Sequence, residues 1–417
     1  MKSLVIGGGG REHALVSMLA RDSEVACVGG NPGIAEECEV LAGSASSFDS
    51  VLEACRAYMP DLVVVGPEDP LILGLADLLR DAEFNVFGPG IDGARLEASK
   101  SFSKELMKRA GVKTAAFQSF HEAEQAKEFA RARFDAGRGV VVKASGNALG
   151  KGVVVSSTIE EAEDAIDSMI VERIFGEAGA TIVIEDRLQG EELSLLTIVS
   201  GDDLWTLPLC LDHKRALDND RGPNTGGMGT VSPLGSGHES RVSEYEDAIV
   251  RPILRELKKN HIDYRGVLFS GLMMHHDDVY CLEYNVRFGD PETQSIAMRL
   301  GNGLTNCLFS AAMGGDIVAP EVLNNAACTV VLASGGYPGE YEKGCPITIG
   351  NLPDSVKIFH AGTKLVEGQL VTNGGRVLGV SSSAPSIEEA QLLAYEGVKS
   401  VHFSGMMYRK DIGATLL

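Results

Sequence analysis

The sequence predicts a multidomain protein of α/β and α+β class: an N-terminal parallel βαβ domain, a larger central region, and a small α+β domain at the C-terminal end. Three observations predict it. At 417 residues the chain is long for one core, and with roughly 100 to 200 residues per domain a three-domain division is expected. Hydrophobic residues at 44% and charged residues at 23% match a fully folding globular chain. Short apolar strands alternate with helical stretches early in the chain and give way to hairpin-forming strands later.

Up to about Pro89, "SLVIG", "EVACVGG", "DLVVVGPEDP" and "NVFGPG" read as strands, with a helix over Phe48–Tyr58 between the second and third. A parallel sheet of this kind places its ligand crevice at the strand ends, where the glycine turns lie. In "SLVIGGGGREHAL" residues 3–6 read as strand, 7–10 as turn and Arg11 onward as helix. A dinucleotide fingerprint would need a third glycine where Glu12 stands and a carboxylate after the second strand, which ends in "VGGNPG". The expectation is a helix N-terminus whose free N–H groups, dipole and Arg11 hold one phosphate, against the plain alternative of a tight turn without a ligand.

"SKSFSKELMKRAG" spaces Phe102, Leu106 and Ala110 on one helical face and stops at Gly111. The strands that follow are "GVVVKAS", "GVVVSS", "TIVIED", "ELSLLTIVS" and "LWTLPLCLD". Among them a helix starts at Thr158 with Glu161 in capping-box position and a buried stripe of Ala162, Ala165, Ile166, Met169 and Ile170. "GVLFSGLMM" and "VYCLEYNVRF" form a hairpin across "HHDD". From about Ala326 come "ACTVVLASGGYPG", "SVKIFHAGTKL", "GGRVLGVSSS" and an Ala-rich helix.

The 37 basic and 58 acidic residues leave a net charge of -21, which opposes nonspecific binding to nucleic acid or anionic membrane. Anionic ligands therefore need basic residues gathered locally. Eight cysteines without C-x-x-C or Cys/His spacing indicate neither a zinc site nor a disulfide framework, and imply reduced thiols in a cytoplasmic setting. No signal peptide or membrane span is read.

Three further clusters carry chemistry. "VVVKASGNALGKGV" is strand, glycine loop and strand; Gly152 after Lys151 excludes a Walker A loop, and two lysines suit a flap over nucleotide phosphates, with a solvated hairpin tip as the alternative. "DHKRALDNDRGPNTGGMG" gathers charge and glycine without apolar periodicity, the composition of a site loop or of a mixed-sign surface loop. In "CLEYNVRFGDPETQ" strand alternation sends Leu282, Tyr284 and Val286 to one face and Glu283, Asn285 and, if the strand persists, Arg287 to the other, either as ligands or as the polar face of a half-exposed strand. Two neighbouring oxygen ligands suit magnesium completed by substrate phosphates.

With "GGGREHAL", "VVGPEDPL", "EASKSFSKELM", "VVKASG" and "GKGV", "DHKR" and "GPNTGGMG", "NVRFGDPETQ", "ASGGYPG", "FHAGTK" and "TNGGRVLGV" in order, the chain closely resembles the phosphoribosylamine-glycine ligase family of the ATP-grasp superfamily. The resemblance implies ligation of glycine to 5-phosphoribosylamine, with ATP as co-substrate becoming ADP and phosphate, Mg2+ or Mn2+ as cofactor, and a glycyl phosphate intermediate in purine biosynthesis. It implies a pre-ATP-grasp domain at 1–98 that binds phosphoribosylamine, an ATP-grasp domain at 99–325 with a mobile lid at about 114–187, and a C-terminal α+β domain at 326–417. Nucleic acid and membrane are not expected partners, and the unstable amine leaves open a transient handover from an upstream enzyme.

Residue by residue, the resemblance assigns Lys100 and Lys143 to the ATP phosphates and Ser145, Gly146, Gly150, Lys151 and Gly152 to the flap. Glu185, Asp186 and Leu188 resemble the hinge that reads adenine, and Glu192 the ribose-binding acid. Glu283 and Asn285 match the metal ligands; Arg287 and Lys143 take catalytic roles. Glycine and phosphoribosylamine fall to Arg287, Asp212, Lys214, the loop Asn224, Thr225, Gly226 and Gly227, and Asp290, Pro291 and Glu292, with Pro67, Glu68, Gly9, Gly10, Arg11 and Glu12 from the first domain. Departures from the family pattern are Gly8 in place of an asparagine, Ser145 in place of an aspartate, and the bulkier Asn147. The rival readings are another ATP-grasp ligase or carboxylase, and a module that binds ATP without turning it over.

Overall fold

The structure is a computed structural model describing residues 1–148, 152–235, 237–276 and 278–416. Its first sheet is parallel, in the order Glu39–Leu41, Glu24–Val28, Lys2–Ile6, Leu62–Val65, Val86–Phe87. Glu39–Leu41, a three-residue and mostly exposed edge strand, is not among the strands the sequence predicts. The helix Gly10–Leu19 is buried along its whole length. Its residues Leu15, Met18 and Leu19 share a core with Leu196, Ile296, Leu304 and Phe359, so the first domain is packed against both later regions.

The helix Lys100–Ala110 ends where expected, on Gly111 at φ +74°, a left-handed position that glycine adopts without strain. Beyond it, Phe117–Phe120, Ile182–Asp186, Val140–Ala144 and Val153–Ser156 form an antiparallel sheet in that order. This sheet and the helices Ala123–Asp135 and Ile159–Ile166 enclose a core of their own, including Phe120, Ala130, Val142, Ile166 and Ile184. Thr158 caps its helix, accepting from the Glu161 N–H at 3.3 Å, but Glu161 reaches back to the Ser157 N–H at 2.7 Å, one residue earlier than a capping box requires.

The central sheet runs Asp203–Thr206, Glu191–Ser200, Arg265–His275, Asp278–Asn285, all antiparallel. "LWTLPLCLD" is not one strand: it divides into Asp203–Thr206 and Leu211–Asp212 around Pro208, which cannot donate to a ladder. The segment 212–229, expected as loop, contains a ribbon of Arg215–Leu217 with Arg221–Asn224. In the hairpin, Gly271 faces Glu283 and Leu272 faces Cys281, so Leu282 is an extra, bulged residue. It therefore lines the cavity beside Glu283, whereas Tyr284 and Val286 enter the core as alternation predicts.

The last sheet is Leu211–Asp212, Gly229–Ser232, Ala326–Ala333, Arg376–Ala384, Val356–His360. Two of its strands precede residue 326, so the sheet is continuous with the central region. The helix Ile387–Lys399 packs against it. Among the described residues no helix is long and apolar enough to cross a membrane. The eight cysteines are unpaired, all but Cys38 buried.

Candidate active site

A cavity of about 1030 Å³ opens between the 117–186 sheet, the central sheet and the first domain. Lys143, on the inner strand Val140–Ala144, is held at 2.9 Å by Glu185, whose other oxygen takes Lys104 at 3.0 Å. Burial pulls the Lys143 ammonium down, but Glu185 and Glu283 outweigh it and raise it above the usual lysine value. Lys100 opens its helix and faces the same cavity. Burial lowers its pKa, and among the described residues it has no ion-pair partner within 4 Å. Two lysines on one carboxylate and a third without a partner leave an excess of positive charge suited to phosphates.

Glu283 and Asn285 project from Asp278–Asn285 into this space. Burial alone would raise the Glu283 carboxyl, but Lys214, Lys143, Lys100 and Arg287 bring it to about 2. Among the described residues neither side chain has a hydrogen-bond or ion-pair partner, and no group of three or more His, Cys, Asp or Glu forms a metal cage. An unpartnered carboxylate and amide oxygen, side by side, fit a hard divalent ion that takes its remaining ligands from water and phosphate.

Lys214 meets Glu192 at 3.2 Å, and both line the cavity with Asp212, Glu292, Asn224, Thr225 and Gly226. Burial and the nearby Glu292 push the Asp212 carboxyl well above its usual range, and its Oδ1 has no hydrogen-bond partner. Ser194 donates to Glu292 at 2.8 Å. Gly227 and Pro291 lie behind the wall: a Cβ on Gly227 would stand 2.4 Å from Pro291 Cδ and 2.7 Å from Asp212 Oδ1.

Of the hinge residues, Asp186 has its carboxylate taken by Arg133 and Arg138, each at 2.7 Å. The N–H groups of Asp186 and Arg187 are spent on the Ala116 and Gly139 carbonyls at 2.9 and 2.8 Å. The Leu188 N–H, at the cavity edge, has no partner among the described residues. Glu185 contributes its backbone to the sheet and its side chain to the lysines.

The flap residues divide. Gly152 lines the cavity. Gly150 and Lys151 lie outside the described residues. Ser145 points away from the cavity and accepts from the Ser101 N–H at 3.1 Å, while its carbonyl takes the Lys100 N–H at 2.8 Å. It thus caps the helix that carries Lys100. Gly146 backs onto Ala178, where a Cβ would come within 2.5 Å of the Ala178 Cα.

At the opening turn, the Gly9 N–H and the Arg11 guanidinium have partners within the chain. Glu12 Oε2 accepts from the Gly9 N–H at 2.7 Å, so the helix start is capped by its own carboxylate. Arg11 is buried against Glu12 at 2.7 Å, Glu68 at 3.5 Å and the Phe288 carbonyl at 3.1 Å. Burial opposes its charge, but Glu12, Glu68 and Asp290 hold it firmly protonated. A buried guanidinium needs such partners. Gly9, Gly10, Arg11, Glu12 and Pro67 do not line the cavity; the glycines allow close approach, a Cβ on Gly9 falling 2.7 Å from Glu12 Oε2 and one on Gly10 falling 2.5 Å from Gln294 Nε2. Glu68 and Asp290 do reach the cavity. Arg287 bridges Glu68 at 3.5 Å and Glu97 at 3.1 Å, so it too is already paired.

Sequence reasoning missed Lys104, Glu97, Arg376 and Tyr337. Lys104 stands four residues after Lys100, on the same helical face, a spacing that could have paired them. Arg376 and Tyr337 lay in "TNGGRVLGV" and "ASGGYPG", quoted motifs that were given no residue roles. Arg376 donates to the carbonyls of Gly226 and Asp290 at 2.5 and 2.7 Å, and the Tyr337 hydroxyl accepts from the Gly226 N–H at 3.1 Å.

Three family models match this chain: the phosphoribosylglycinamide synthetase N domain at residues 1–97, its ATP-grasp (A) domain at 98–293 and its C domain at 327–415. Curated relatives include the phosphoribosylamine–glycine ligase of Rhizobium meliloti, 43% identical and covering 99% of this chain and 98% of its own, and that of Halalkalibacterium halodurans, 41% identical over 99% and 97%. A crystal structure of phosphoribosylamine–glycine ligase from Thermotoga maritima superposes with a TM-score of 0.86 at 37% identity, covering 99% of this chain and 100% of that one. The biotin carboxylase domain of Hydrogenobacter thermophilus 2-oxoglutarate carboxylase, solved with MgADP, reaches a TM-score of 0.73 at 16% identity over 98% and 91%, a likeness of fold alone.

Proposed function

The chain belongs to the phosphoribosylglycinamide synthetase family, and from that premise we propose how its cavity carries out the family's reaction. That reaction is the ATP-dependent ligation of glycine to phosphoribosylamine in purine biosynthesis, forming ADP. The observation that carries the site assignment is that Lys100, Lys143, Glu283, Asn285 and Lys214 line one cavity.

The Leu188 N–H reads the adenine edge, Glu192 takes the ribose, and Lys100 and Lys143 neutralise the triphosphate. Glu283 and Asn285 hold a divalent cation, magnesium or manganese, which when bound withdraws charge from the phosphate oxygens. Glycine lies along Asp212, Lys214 and the 224–226 loop. One carboxylate oxygen attacks the γ-phosphorus as the bond to ADP breaks, giving glycyl phosphate. The amine of phosphoribosylamine then attacks the acyl carbon, the carbon–oxygen bond to phosphate breaks, and the nitrogen gives up a proton. Glu68 and Asp290 accept from the sugar hydroxyls at the first-domain end. No covalent attachment to the protein is needed, because the task is to align anions and stabilise charge. The setting is the cytoplasm.

ADP release should require both glycine and phosphoribosylamine, and glycine labelled with ¹⁸O in its carboxylate should deliver one label to inorganic phosphate. Bicarbonate-dependent turnover would favour a carboxylase, and unlabelled phosphate would remove the acyl phosphate step.

A further inference from the structure

Arg409 is buried to 1% exposure, far from any sequence motif that carries chemistry. It grips Asp411 with two parallel bonds of 2.8 Å and reaches across to Asp220 at 2.7 Å and the Arg215 carbonyl at 3.2 Å. Its neighbours continue the grip. The Lys410 N–H donates to Asp218 at 2.8 Å, Asp411 accepts from the Asn219 N–H at 2.7 Å, and the Gly413 N–H donates to His213 Nε2 at 3.1 Å. Residues 409–413 thereby hold three consecutive residues of the turn 218–220 and also the histidine between Asp212 and Lys214.

The ribbon needs such support. Arg215–Leu217 and Arg221–Asn224 pair only with each other, with a register shift, and Leu217 is exposed. A two-stranded ribbon without a hydrophobic face is marginal by itself. Yet the residues at its base, Asp212, Lys214 and Asn224, form the cavity wall.

We infer that the 409–413 segment is a strap and Arg409 its positioning residue, setting the distance of Lys214 and Asp212 from the amino-acid substrate. This rests on the reading that Asp212 and Lys214 handle glycine. Asp220 has an exposed side chain (66%) at the cavity edge, so Asp220→Asn tests the strap without threatening the core; Arg409→Lys, which keeps the charge and loses the fork, does so from outside the cavity lining and must agree with it.

Losing one charge-assisted bond should raise the glycine KM about tenfold, with the ATP KM and kcat within about twofold. Trypsin cleavage after Arg221 should accelerate in both variants. A fall in melting temperature with an unchanged glycine KM would overturn the inference, as would equal rises in the glycine and ATP KM. Lys214→Ala separates the two layers of argument. If it leaves the glycine KM unchanged, the reading of the wall fails. If it raises that KM and Asp220→Asn does not, only the strap fails.

Discussion

At Glu283 one carboxylate answers to Lys214, Lys143, Lys100 and Arg287 together. Those cations are not neutralised by it in a direct pair, since no ion pair within 4 Å joins them to it among the described residues. The arrangement keeps an anion poised among several cations, the setting in which a divalent ion and a polyphosphate bind as a unit. Replacing the carboxylate by an amide keeps shape and loses charge. Glu283→Gln should lower kcat at least about 100-fold, because even outer partners of metal ligands cost 10–100-fold. It should also weaken Mn2+ binding in the presence of nucleotide, read by electron paramagnetic resonance. Near-parental kcat with unchanged Mn2+ affinity would refute the ligand assignment.

The helix Lys100–Ala110 shows how an element delivers a side chain. Its start has two serine caps: Ser99 accepts from Phe102 N–H at 3.3 Å and Ser145, just beyond the strand Val140–Ala144, accepts from Ser101 N–H at 3.1 Å. The departure at Ser145 therefore bears on the helix that presents Lys100, not on a charge beside the triphosphate. Ser145→Ala should cost about 1 kcal/mol and raise the KM for ATP more than it lowers kcat; a variant with unchanged stability and unchanged KM would sink this account. Much at this scale was legible in the sequence, because helix starts, glycine stops and strand alternation are local signals. The helix 100–110, the Thr158 cap and the Glu283/Asn285 pair all follow from them. The bulge at Leu282 did not, because it depends on the register of the partner strand. Neither did the role of Arg11, whose acids Glu68 and Asp290 are distant in sequence, nor the strap at Arg409, whose target lies about two hundred residues earlier.

Across the whole molecule, the first domain is joined to the C-terminal sheet by a polar seam in which His13 and His360 are buried and Glu37 and Lys357 half-buried. His13 meets Glu37 at 3.0 Å, Lys357 meets Glu37 at 2.7 Å, and the His360 N–H donates to His13 Nδ1 at 2.8 Å. The sheet within residues 117–186, with its separate core, has no part in this seam. Acid should act on the seam first through His360, then through Glu37. Burial and His13 lower the His360 pKa to about 4, so the unfolded chain takes up protons below its usual 6.5 before the fold does, and stability falls with pH from there. Burial would raise Glu37, but bonds from His13 and Lys357 bring it to about 2. Its contribution is therefore full above the ordinary value of 4.5 and is lost as pH falls from about 5 toward about 2. Glu68, also near 2 through Arg287 and Arg11 acting against its burial, adds in the same direction. Asp212 and Glu97, both raised by burial, bind protons more readily in the fold and offset part of the loss. Glu37→Gln lies away from the cavity, so its effect on stability can be read apart from catalysis. By urea unfolding, the variant should be less stable than the parent by about 2 kcal/mol at pH 7, and the two should converge as pH falls from about 5 toward about 2, where the unfolded chain's carboxylate takes up its proton before the folded one does. A deficit that stays constant across that range would mean that Glu37 contributes by packing and not by charge.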